Sequence, residues 1–206
     1  MNPALLKKDG VLDERKGGVR IGILGGTFNP IHIGHLILAE EIREKQGLDK
    51  IIFVPTYLPP HKDNSDIAQA KDRYEMIKLA IKKNKYLLVS DIEIKRDGRS
   101  YTIDTVKEFN KIYPKDELYF ITGSDLLKYM DDWKDLNDII KIVKFVVATR
   151  PGYPLEKIPA YIQTVAIRAV DVSAFEIRDC IRKNLSFRYL LPEAVFNYIK
   201  KKRLYL

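Results

Sequence analysis

A chain of 206 residues with 46% apolar and 31% charged side chains is long enough for one well-packed domain and short for two. No stretch reaches the roughly 18 uninterrupted apolar residues of a membrane span, and the N-terminal run with Lys7, Lys8, Asp9, Asp13, Glu14, Arg15 and Lys16 lacks a signal-peptide core. The expectation is a soluble, cytoplasmic protein. The lone Cys180 excludes an internal disulfide and leaves no second thiolate for a metal site. A net charge of +8 favours anionic ligands without choosing among nucleotides, nucleic acids and membrane surfaces. Much of that excess sits at Lys78, Lys82, Lys83, Lys85 and Lys200 to Arg203, the pattern of a solvated basic face.

Apolar runs bounded by turn residues alternate with helical patterns along the chain. Strands are expected at Val19–Leu24, Lys50–Pro55, Tyr86–Asp91, Glu117–Thr122, Lys144–Thr149 and Thr164–Ala169. Helices are expected at Gly34–Gln46, Lys71–Asn84, Thr102–Ile112, Asp132–Ile142, Ala174–Asn184 and Pro192–Lys202. Short β-rich runs each followed by an amphipathic helix predict parallel strands joined by helical crossovers, hence an α/β, Rossmann-like, doubly wound parallel sheet with a C-terminal helical part. Residues 1–18 form a polar extension hinged at Gly17-Gly18, and 19–206 the domain. Ligands of such sheets sit beyond the carboxyl ends of the strands, so the loops at Gly25, Pro55, Asp91, Gly123 and Arg150 are site candidates.

The first of these loops carries the strongest signal. Two of the three histidines lie in Gly25-Gly26-Thr27-Phe28-Asn29-Pro30-Ile31-His32-Ile33-Gly34-His35, between a strand and a helix start. The glycine pair alone is equally a tight turn. With His32 and His35 three apart, both rings can face one side, and backbone N–H groups at the helix start suit a polyphosphate. A metal site is less well supported, since two histidines without a nearby carboxylate or thiolate leave the shell incomplete. A second constellation, Pro59-Pro60-His61-Lys62, holds an imidazole and a cation on a stiffened loop after the second strand. In Arg99-Ser100-Tyr101-Thr102, Ser100 or Thr102 suits a helix N-cap. In Gly123-Ser124-Asp125, the Asp suits either a ribose or a cap. Trp133, the only tryptophan, follows in a polar stretch; a core position is the default, and a partly exposed ring beside a cleft would suit stacking. Near the end, Ser173 and Glu176 have capping-box spacing, and Arg178 lies one turn in, where its planar fork can cover outer phosphates.

These motifs, with Arg150-Pro151-Gly152 and the tail Arg188-Tyr189-Leu190-Leu191-Pro192, fall in the order seen in bacterial nicotinate-nucleotide adenylyltransferases, and the resemblance runs from Val19 to the end. It implies a single nucleotidyltransferase domain that joins ATP and nicotinic acid mononucleotide into deamido-NAD with release of pyrophosphate. It further implies catalytic roles for His32, His35, Lys62 and Arg178. ATP would lie on Gly25, Gly26, Thr27, Phe28 and Gly34, with Gly123, Asp125, Arg150, Ser173 and Ile177 completing its site. The mononucleotide would lie on Ser100, Tyr101, Thr102 and Trp133. Mg²⁺ would enter with ATP, held mainly by phosphate oxygens and water rather than by a protein metal site. Nucleic acid and membrane are not expected partners, and a homo-oligomer is left open. Three departures stand out: Asn29 where the family has Asp, Ser124 where it has Ala, and Ala174-Phe175 where it has Ser and Thr.

Other readings share parts of the pattern. His-Ile-Gly-His also resembles the signature of class I aminoacyl-tRNA synthetases, but the chain lacks a Lys-Met-Ser-Lys-Ser loop. A related transferase acting on another phosphate, such as phosphopantetheine, is the nearer alternative, and a non-catalytic nucleotide sensor is the one outside enzymology.

Overall fold

The computed structural model describes residues 18–58, 66–124, 127, 130, 133–149, 158–168 and 170–206. Six strands, β1 (Arg20–Gly26), β2 (Lys50–Pro55), β3 (Leu87–Val89), β4 (Glu117–Gly123), β5 (Lys144–Thr149) and β6 (Ile162–Ala166), form one sheet in the order β3-β2-β1-β4-β5-β6. Every pairing is parallel. Parallel neighbours need long crossovers, which seven helices among the described residues supply or follow: α1 (Ile33–Lys45), α2 (Ala70–Ile81), α3 (Ile92–Arg96), α4 (Thr102–Ile112), α5 (Leu136–Ile142), α6 (Ala174–Arg182) and α7 (Glu193–Lys202).

The period-2 alternation of each strand divides the core in two. Ile51, Phe53, Tyr119, Ile121, Val146 and Ala148 face α1, α2, α6 and α7. Ile52, Val54, Leu118, Phe120, Phe145 and Val147 face α3, α4 and α5. Both faces of the sheet are thus covered, the condition under which a parallel sheet is stable. The strand order reverses between β1 and β4. Their crossovers leave on opposite sides there, opening a crevice beyond Gly26 and Gly123.

Five expected boundaries are corrected. The third strand is Leu87–Val89, not Tyr86–Asp91, because after Val89 the chain turns into α3, a helix of five residues whose Glu93, Lys95 and Arg96 read as loop in sequence. The fifth helix starts at Leu136 rather than Asp132, because Asp135 takes a left-handed conformation (φ 54°) that a helix interior excludes. The last strand is Ile162–Ala166, not Thr164–Ala169; on this edge, Ile162 and Val165 are the residues buried. The expected helix ends at Asn84 and Asn184 also recede, to Ile81 and Arg182.

Candidate active site

The β1 loop closes on itself before it meets any ligand. Gly26 allows the Phe28 ring to fold back: a Cβ on Gly26 would stand 2.9 Å from that ring. Phe28, itself at φ 49°, lays its edge against His35 with centroids 5.0 Å apart. His32 is the N-cap of α1, and its backbone N–H donates to His35 Nδ1 at 3.2 Å. The two imidazoles lie 3.8 Å apart, tilted by 37°. Sequence spacing predicts that they share a side, and they do. A Cβ on Gly34 would stand 3.1 Å from the His32 ring, so the glycine also makes room for the imidazole. Its surroundings include the Val172 carbonyl, which brings the start of α6 beside the start of α1.

Asn29 ties this loop down. Buried at 5% exposure, it donates through Nδ2 to the Asp66 carbonyl (2.9 Å) and accepts through Oδ1 from the Ala68 N–H (3.0 Å). A carboxylate could not donate the first of these bonds, so the amide suits this chain's 66–68 segment. Arg178 reaches the same loop from α6: Nη1 donates to the Asn29 carbonyl at 2.9 Å, and Nε lies 3.4 Å from Asp66 Oδ2. Arg182 also pairs with Asp66. Hydrogen bonding from Arg182 first, then the charges of both guanidiniums, hold the Asp66 carboxyl below the usual carboxylate range. The expected capping box is present, with Ser173 Oγ accepting from the Glu176 N–H (3.1 Å) and Glu176 Oε2 accepting from the Ser173 N–H (2.9 Å). Phe175 in the first turn of α6 is 63% exposed, its ring beside the Arg178 guanidinium. Ile177 is fully buried and its N–H is bonded to the Ser173 carbonyl, so its side chain serves the core and offers a nucleotide no surface.

On the other side of the crevice, Ser100 does not cap α4, and neither does Thr102. Tyr101 is the N-cap residue, Thr102 is the first helical residue, and no side chain caps the helix. Ser100 is 8% exposed and accepts at Oγ from the Tyr57 N–H (3.0 Å), while its own N–H donates to the Leu58 carbonyl (3.2 Å). It thereby stitches the loop after β2 to the start of α4. Behind it lies Glu93, which accepts from the Thr105 hydroxyl at 2.6 Å. Burial pushes this carboxyl above its ordinary value. Trp133 is half-buried, edge-on to Phe120 (5.6 Å, 88°) and 6.0 Å from Phe145. The adjacent Lys134 stands 4.9 Å from the Tyr101 ring centroid, so the Ser100–Thr102 and Trp133 segments are neighbours. Phe120 in turn touches the space above Gly25.

Lys62 and the rest of Pro59–Lys62, Asp125, and Arg150-Pro151-Gly152 lie outside the described residues. Sequence reasoning missed Asp66, Arg182, Glu93 and Arg73. Only Arg73 left a signal: it sits on the same helical stripe as Met76, Ile77 and Ile81, where an apolar side chain belongs. The imidazoles and guanidiniums at the loop are donors suited to phosphate rather than oxygen ligands for Mg²⁺. No helix among the described residues is long and apolar enough to cross a membrane.

Fold and crevice together define an α/β nucleotidyltransferase, and the cytidylyltransferase-like family model matches residues 23–180. The chain is 43% identical over 197 residues to a protein of Desulfitobacterium hafniense, covering 90% of this chain and 95% of that one. It is 46% identical over 188 residues to one of Methylacidiphilum infernorum, covering 91% and 92%. Both carry the name "probable nicotinate-nucleotide adenylyltransferase". Among solved structures, Plasmodium falciparum nicotinic acid mononucleotide adenylyltransferase complexed with NaAD shares the fold, with a TM-score of 0.75 at 19% identity over 91% of this chain and 97% of that one. The chain belongs to the nicotinate-nucleotide adenylyltransferase family, and the tRNA synthetase and sensor readings fall away.

Proposed function

We infer that this chain transfers the adenylyl group of ATP to nicotinic acid mononucleotide, forming deamido-NAD and releasing pyrophosphate. The observation that carries the reading is the pair of imidazoles 3.8 Å apart at the start of α1, at the switch point of the sheet, with Arg178 anchored on the same loop. The acceptor is a phosphate monoester with a second pKa of about 6, mostly dianionic near neutral pH, so no protein base is needed. Its oxygen attacks the α-phosphorus, a new P–O bond forms, and the bond from that phosphorus to the bridging oxygen breaks as pyrophosphate leaves.

What remains for the protein is alignment and charge stabilisation. His35 and His32 donate to the phosphates, Arg178 moves from Asp66 onto the leaving pyrophosphate, and Lys62 adds a cation from the loop after β2. The β1 loop from Gly25 to Phe28, with Gly34, Gly123, Asp125, Arg150 and the start of α6 at Ser173, holds the nucleotide. Tyr101, Thr102 and Trp133 face the mononucleotide, with Ser100 fixing their loop. Mg²⁺, entering with ATP, would be held mainly by phosphate and water and would supply positive charge to the triphosphate. The reaction is expected to run in the cytoplasm. Pyrophosphate release on mixing the protein with ATP and a panel of acceptors tests this: turnover is expected with nicotinic acid mononucleotide, and preference for phosphopantetheine, or turnover with none, would overturn it.

A further inference from the structure

Arg73, on α2, is 1% exposed, yet among the described residues no carboxylate lies within ion-pairing distance of it. Taking a guanidinium out of water is costly, and an apolar side chain of similar volume would fill the same space without that cost. What the charge does instead is hold backbone. Nη1 donates to the Thr27 carbonyl (2.8 Å), Nη2 to the Tyr57 carbonyl (3.0 Å) and Nε to the Ala68 carbonyl (2.9 Å). Thr27 opens the loop that carries His32 and His35. Tyr57 lies just past β2, where its own N–H is bonded to Ser100. One planar group therefore spans the phosphate loop and the acceptor-side loop. Only a rigid fork of five N–H donors can reach three carbonyls of separate segments at once; a lysine ammonium has a single donor centre.

We propose that Arg73 is a positioning residue for adenylyl transfer: its guanidinium fixes the distance between the β1 loop and the loop after β2, and so between the α-phosphorus and the attacking oxygen. The proposal rests on the adenylyl-transfer reading. In-line attack needs the reacting atoms about 3–3.5 Å apart, and a misplacement of about 1 Å costs on the order of a hundredfold in rate.

The test uses the full chain with Arg73→Met, Arg73→Lys and Arg73→Gln. Wild-type turnover of nicotinic acid mononucleotide checks the functional reading by itself. Hydrogen exchange of segments 26–31 and 56–58 checks the clamp without any substrate. The expected result is cooperative melting in at least one variant, faster exchange in both segments, and a kcat reduced about a hundredfold with the KM for ATP within a few-fold of wild type. Arg73→Lys is expected not to restore the rate, although it keeps the charge. A folded Arg73→Met with wild-type kcat, or with unchanged exchange in both segments, overturns the proposal. So does recovery of kcat on cooling in step with the folded fraction, or failure of all three variants to fold at 10 °C, since either makes Arg73 a stability residue alone.

Discussion

At the ends of β1 and α6 the polar groups are held by backbone: His35 by the N–H of His32, Arg178 by the carbonyl of Asn29, and the α6 start by its own capping box. At the start of α4 and around Trp133, the surroundings are rings and a buried acid: Phe120, Phe145, Tyr101 and Glu93. The proposed phosphate side is therefore charged and directional, with its imidazoles held in place by backbone and Arg178 free to exchange Asp66 for phosphate, which suits stabilising developing charge. The proposed acceptor side is lined chiefly by rings, which would favour recognition of a flat ring. Substitutions on the two sides should separate in kinetics, the first acting on kcat and ATP, the second on the mononucleotide.

The largest break is expected from His35→Ala. In the proposed role its hydrogen bond to phosphate strengthens as charge develops, so kcat should fall by about 10²–10³ with little change in either KM. The variant also loses the bond from the His32 N–H and the ring contacts to His32 and Phe28, so the melting temperature should fall as well, and kcat is compared at a temperature where both proteins are folded. Steady-state kinetics at saturating substrates decides it, and near wild-type turnover removes His35 from the chemistry.

Arg178→Ala comes next. A charge-assisted bond is worth about 1.5–3 kcal/mol, or roughly ten- to a hundredfold in affinity. Because Arg178 must leave Asp66 to meet phosphate, the loss of ATP affinity should fall toward the lower end of that range. Asp66→Asn sharpens the point by weakening the competing partner, and calorimetry should register tighter ATP binding for it than for wild type. Equal weakening of both substrates in Arg178→Ala would place its role in the Asn29 loop rather than on ATP.

Trp133→Ala tests the other side. Its ring is only half-buried, so removal should cost the fold about 0.5–1.5 kcal/mol for each of the two aromatic contacts and raise the KM of the mononucleotide by an amount equivalent to about 1–3 kcal/mol. ATP affinity should stay near wild type. Fluorescence of this sole tryptophan should be quenched by the mononucleotide and not by ATP; an unchanged emission would make Trp133 a core residue after all.

The doubly wound sheet was legible because each strand and helix repeats its own period, and the imidazole pair because two rare residues stood three apart at a strand-to-helix junction. What stayed hidden depends on backbone positions. Arg73 binds carbonyls 5, 16 and 46 residues away, and carbonyls carry no letter in a sequence. The start of α5 was lost because Asp135 gives no hint that it sits at positive φ. The edge strand β6 pairs on one side only, so its limits follow from register with β5 rather than from its own weak alternation. Ser100 looked like a cap because its neighbours define a helix start; its actual partners, Tyr57 and Leu58, come from the loop after β2.

The smallest effect is expected at the far end of α1 and isolates the phosphate side from simple stability. Glu41 accepts from Lys45 Nζ at 2.8 Å and pairs with Arg168 just after β6. Hydrogen bonds first from Lys45 and then from Arg168 hold its carboxyl down from the ordinary 4.5 to about 2. A carboxyl with a lowered folded pKa adds stability that is fully present above its unfolded value and fades as pH falls through the folded one. The melting temperature of Glu41→Gln should therefore lie below wild type at neutral pH, by a few degrees at most because much of the network reaches solvent. That gap should begin to close below about pH 4.5 and vanish near pH 2, while kcat at neutral pH stays unchanged because the site end of α1 is untouched. A gap that persists at pH 2 would show that the glutamine is misfitted rather than merely uncharged. A fall in kcat at neutral pH would show instead that the pitch of α1, set at Glu41, reaches His32 and His35.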